Sequence, residues 1–215
     1  MSLTTNSSAV DILTVGHSNV SAEDFISLLR SAGVTTIADV RSVPFSRRFP
    51  WFSAKLLADR LQSRGIGYVA FGNSLGGRPD DQSLYCDGFA DHERMAETQD
   101  FRSGLDRLLE IARHQRVALM CSEREPLDCH RCLLVARALA RRGCATGHIL
   151  GAGQIEPHAA TEERLLEQTG PLDALIRDRA TRLTEAYRLR SRAIAARLSD
   201  RIRPRRRSGA AFISS

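Results

Sequence analysis

Over the first 150 residues, short apolar runs alternate with longer amphipathic stretches. DILTV (11–15), VTTIADV (34–40), IGYVAFG (66–72), RVALMC (116–121) and CATGHIL (144–150) read as strands. Residues 21–33, 53–65, 101–114 and 130–143 read as helices between them. Ser21 stands where an N-cap belongs, with Asp24 at the capping-box position and Gly33 closing the helix, and 53–65 repeats the pattern up to Gly65. NSLGGRPDD (73–81) is turn-rich, and residues 80–100 are polar and irregular, a flap or insertion. GAGQIE (151–156) suggests a tight turn into a short extension, and 161–203 reads as helix broken near Gly170-Pro171.

Strand–helix alternation with short connections predicts an α/β fold. The expected form is a Rossmann-like parallel sheet of about five strands, with helices on both faces and a C-terminal helical extension. The expected organisation is an α/β domain with a cleft over 10–158, a helical extension packed on it over 159–203, and a disordered basic tail over 204–215.

Composition narrows the class. With 42% apolar residues in 215, the chain can bury a sizeable core. The N-terminus lacks a basic region followed by an apolar run, and no apolar run reaches the roughly 18 residues that span a bilayer. Five cysteines, an odd number in a chain that needs no staples, point to reduced thiols and a cytoplasmic location. The net charge of +6 is not spread evenly. Basic and acidic residues balance through residue 160, so the excess belongs to the remainder and peaks in RIRPRRRSG (201–209). Such an end is a solvated tail, or an electrostatic contact to nucleic acid.

In a parallel sheet, ligands sit beyond the C-terminal ends of the strands. GHS (16–18), DVRSVPFS (39–46), LGGR (75–78) and CSEREPLDCHR (121–131) each follow a strand, so one shared cleft is the economical reading. Cys129 at a helix start beside Arg131 is placed for a lowered thiol pKa, and free N–H groups there would hold a carboxylate or phosphate. His17, Asp39 and Glu123 are candidates for proton transfer. Ser18, Arg41, Ser46, Gly76, Gly77, His130 and Arg131 are candidates for holding an anion. The bland alternatives are an Asp39–Arg41 pair that fastens its loop, and Cys121 as a small apolar filler at a strand end. Cys129-x-x-Cys132 with Cys121 and His130 also suggests zinc, or a dithiol pair. Zinc at Cys121, Cys129 and His130 ranks below the anion cleft, because Cys132 lies one turn into an amphipathic helix and is expected to face the core, with poor ligand convergence.

In this order, TVGHS, DVRSVPFS, LGG, CSEREPLDCHR and HIL resemble domain-of-unknown-function family 488, over about residues 12–195 and including EPH at 156–158 and AYRLRSRAIA near the end. The resemblance implies a Rossmann-like α/β fold and a suspected enzymatic role. It carries over to Gly16, His17, Ser18, Asp39, Arg41, Pro44, Ser46, Gly76, Gly77, Cys121, Glu123, Cys129, His130, Arg131 and His148. Cys132, Cys144 and the basic tail fall outside it. The expectation is an enzyme acting on a small anionic, nucleotide-like or phosphate-bearing substrate. The alternative is a non-catalytic nucleotide or nucleic-acid binding module using the same cleft and tail. The oligomeric state is not legible.

Overall fold

The structure, a computed structural model, describes residues 11–170 and 178–202. Its first half runs β1 (Ile12–Gly16), α1 (Ala22–Ser31), β2 (Thr36–Asp39), α2 (Ala54–Gln62), β3 (Gly67–Ala70), the single turn α3 (Gly72–Leu75), β4 (Tyr85–Cys86) and β5 (Phe89–Ala90). The second half runs α4 (His92–Glu97), α5 (Gln99–Ala112), β6 (Val117–Cys121), α6 (Arg137–Arg141), β7 (Thr146–Ile149), β8 (Ile155–Pro157), α7 (His158–Thr169) and α8 (Arg179–Ile202). The fold is α/β. Its main sheet has the order β3-β2-β6-β1-β7-β8, with five parallel strands and β8 antiparallel to β7. The sixth strand arises where Gln154 returns the chain to the sheet, so the GAGQIE turn leads into an edge strand.

Alternation along the buried strands divides the core between the two faces. Leu13, Val15, Ile37, Ala118 and Met120 pack with Phe25, Leu29, Phe52 and Leu57 on one face. Ala38, Val117, Leu119 and Cys121 pack with Phe71, Leu105, Cys129 and Leu134 on the other. Cys121, the last residue of β6, therefore points to the face that carries Cys129. A third cluster joins Leu127, Cys132 and Leu133 to Leu165, Leu166, Ala186 and Tyr187 of α7 and α8.

The segment read as irregular, 80–100, has its own structure. β4 and β5 form a hairpin across Asp87 (φ 53°) and Gly88 (φ 81°), and Asp91 caps α4 by accepting from the Glu93 and Arg94 N–H groups. The helix expected over 161–203 starts earlier, at His158, and ends at Gly170 with φ 83°. The tail from residue 203 onward lies outside the described residues. Among the described residues no helix is long and apolar enough to cross a membrane.

Candidate active site

A cleft of about 430 Å³ opens at the C-terminal ends of β2 and β6. Arg41, Ser42, Val43, Gly77 and Arg78 line one side, and Tyr85, Phe89 and His92 line another. Ser191 and Ile194 of α8 close it, over a floor of Cys121, Glu123, Cys129 and His130. Both sulfurs face one carboxylate oxygen: Glu123 Oε2 lies 3.0 Å from Cys121 Sγ and 3.1 Å from Cys129 Sγ. His130 Nε2 donates to the Val40 carbonyl at 2.9 Å, which leaves Nδ1 for the sulfurs, 3.8 Å from Cys121 and 3.9 Å from Cys129.

Local backbone explains the convergence. Cys129 is extended (φ −138°, ψ 140°), and its carbonyl accepts the first turn's N–H groups from Cys132 and Leu133. The helix then opens as a π-type turn over Arg131–Ala136 before α6, a distortion that recurs at functional sites. Consecutive side chains diverge as a result. His130 turns to the sulfurs, while Arg131 runs under the loop to the carbonyls of Glu123 and Arg124 and to Thr14 Oγ1.

Electrostatics concentrate on the two thiols. Burial alone would raise the Cys129 pKa, but the Cys121 hydrogen bond, the Arg131 guanidinium and His130 hold it well below that of a free thiol. Its hydrogen bond with Cys129 and burial push Cys121 the other way. Burial, then the Cys129 charge, raises Glu123. Burial opposes charge on His130, yet the Cys129 contact prevails and its pKa is raised. Of the two thiols, Cys129 therefore gives up its proton the more readily and Cys121 the less.

Several residues expected in the cleft serve behind it. Arg131 is fully buried and holds backbone carbonyls, so it is a loop brace and not an anion holder in the cleft. The Asp39 carboxylate is consumed by the Arg41 guanidinium and the Tyr68 hydroxyl, the pairing that fastens this loop. Arg41 reaches the cleft wall with most of its donors already used. His17 stacks on Phe52 at 4.0 Å between centroids and touches Arg41, and burial followed by the Arg41 charge lowers its pKa to about 4. It positions Arg41 and does not line the cleft. Ser18 (φ 48°) bonds Asn19, and Ser46 accepts from the Phe49 N–H, so both tie loops. At Gly76 and Gly77 there is no room for a Cβ: Ser42 Oγ and the His130 ring stand 2.4 and 2.6 Å from where it would be. They admit close packing, and only Gly77 lines the cleft.

Other groups were given no role of their own from the sequence. Arg78 lines the mouth, exposed, and its guanidinium has no ion pair or hydrogen bond to any described residue. His92 donates to or accepts from Ser191 Oγ at 3.1 Å, and burial lowers its pKa to about 4. An Asp-Gly turn signal at 87–88 could have revealed the hairpin that brings Tyr85, Phe89 and His92 here.

Comparisons with curated proteins and with solved structures give no match. Residues 21–138 match a family profile that takes in α1 through the start of α6, and with them Cys121, Glu123, Cys129 and His130. The match covers over half of the chain and stops short of His148 and the C-terminal helices. The chain belongs to the family described as Domain of unknown function DUF488.

Proposed function

We propose that the protein is an enzyme acting on a small anionic substrate, with Cys121, Glu123, Cys129 and His130 as its reactive centre. The observation that carries this reading is the meeting of two thiols, a carboxylate and an imidazole on the floor of a cleft. Titratable groups of three kinds gathered around two buried thiols, with shifted pKa values, are the mark of a functional site. Arg78 supplies the anion contact, because its guanidinium is the lining cation left unengaged by described residues. Val43, Tyr85, Phe89 and Ile194 favour a substrate with an apolar body behind the charge. The C-terminal helices work with the α/β unit, since α8 supplies one wall.

The test is turnover of a panel of carboxylate and phosphate esters, amides and nucleotides by wild-type protein, Cys129→Ser and Arg78→Ala. Wild type should turn over at least one class and Cys129→Ser none. Arg78→Ala should raise KM roughly ten- to hundredfold, the worth of a charge-assisted hydrogen bond. Saturable binding without turnover would replace the enzyme with a binding module.

A further inference from the structure

We propose that Cys121 Sγ, Cys129 Sγ and His130 Nδ1 hold a divalent cation of the zinc class, with Glu123 Oε2 at its fourth position. The inference rests on the reading of this cleft as a reactive centre, and it deepens it. The three ligand atoms all lie within 4.8 Å of one another. A tetrahedral zinc with bonds of about 2.0–2.3 Å sets its ligands roughly 3.5–3.8 Å apart. The imidazole-to-sulfur distances of 3.8 and 3.9 Å are at or just beyond that spacing, and the Glu123 Oε2-to-sulfur distances of 3.0 and 3.1 Å just inside it, so small shifts of the side chains would close the four around an ion. The imidazole is also oriented as metal ligands are, with its far N–H given to a backbone carbonyl.

Charge balance agrees. Arg131 is a fully buried guanidinium that donates to two carbonyls and a hydroxyl, and the charge it bears falls on the Cys129 side of the cluster. Two thiolates and a carboxylate carry three negative charges, which a divalent cation and this guanidinium cancel. With the cation in place, no member of the cluster is left as an uncompensated buried charge.

A second cluster, Cys132, His148 and His158, is similarly compact but lacks free lone pairs. Thr14 Oγ1 bonds His148 Nδ1 at 2.7 Å, His148 Nε2 bonds His158 Nδ1 at 2.9 Å, and His158 Nε2 bonds the Tyr187 hydroxyl at 3.1 Å. The Tyr187 hydroxyl in turn donates to Glu162. With Arg131 donating to Thr14, every donor and acceptor in this chain is used in one direction, so both imidazoles are committed. The cation belongs to the cleft floor. Held by three protein ligands and a displaceable carboxylate, it would act as a Lewis acid toward the anion seated by Arg78.

The experiment is elemental analysis of the full chain, purified without chelator, together with cobalt exchange. About one equivalent of zinc is expected in wild type and in Cys132→Ser, with loss in Cys121→Ser and His130→Ala. Cobalt-loaded wild type should show intense thiolate-to-cobalt charge transfer in the near ultraviolet, a readout independent of whether the variants fold. Metal-free wild type that binds no added zinc or cobalt overturns the proposal. Metal lost from Cys132→Ser but kept in Cys121→Ser overturns it too. The enzymatic reading stands or falls separately: turnover by protein that binds no zinc or cobalt would leave it intact and sink the cation, whereas stoichiometric zinc with no cleft ligand or turnover would keep the cation and sink the enzyme.

Discussion

Gly16 shows how little freedom the site has at single residues. A Cβ there would stand 1.7 Å from the Glu123 carbonyl oxygen, a backbone atom that cannot rotate aside. That carbonyl also accepts from Arg131, so a displaced loop would move Glu123 and the brace together. Gly16→Ala should cost about 1–3 kcal/mol in urea unfolding, as overpacking does, and should weaken zinc binding. Unchanged stability would mean that the loop yields freely. Residue roles were the least legible part of the sequence. The residue types His17, Asp39, Arg41 and Arg131 marked the right edge of the sheet, but burial decides which of them meet a ligand, and burial depends on packing that spacing does not encode. Ligand convergence, on which the ranking of zinc turned, is likewise set by packing. Cys132 does face the core, yet Cys121, Cys129 and His130 converge without it.

The hydrogen-bond chain through Thr14, His148, His158 and Tyr187 ties β1, β7, α7 and α8 into one unit. Tyr187→Phe would leave the His158 Nε2–H without its acceptor at a site only 2% exposed. The expected loss is about 1–3 kcal/mol, the cost of one unsatisfied buried donor, measured as a lower urea midpoint at unchanged slope. No loss would show that α8 is not anchored there. The five parallel strands were legible because each reads as a short apolar run, and all but the edge strand β3 are buried on both faces. The hairpin was not, because β4 and β5 have two residues each and only the Asp-Gly turn announces them. β8 was missed for a similar reason, being three residues long at the sheet edge.

For the molecule as a whole, the buried imidazoles set the response to acid. Burial, first of all, lowers His148 and His158 from the ordinary 6.5. The unfolded chain therefore takes up these protons at higher pH than the native state does. Their contribution to stability is fully present above pH 6.5 and is lost as pH falls toward their depressed native values. The urea midpoint should fall between pH 7.5 and 5.5, and His158→Gln should flatten part of that slope. A midpoint that rises on acidification would contradict it.

The central claim is that Cys121 and Cys129 belong to one cation-centred cluster on the cleft floor. Its most direct measurement is alkylation of each cysteine, followed by peptide mass spectrometry, with and without a zinc chelator. The account expects Cys86, exposed on the hairpin, to react equally in both. Cys129 should be protected at first and become labelled on chelation, with Cys121 following more slowly because it holds its proton, while Cys132 stays unreactive in the core. Labelling of Cys121 and Cys129 that ignores the chelator would contradict the claim.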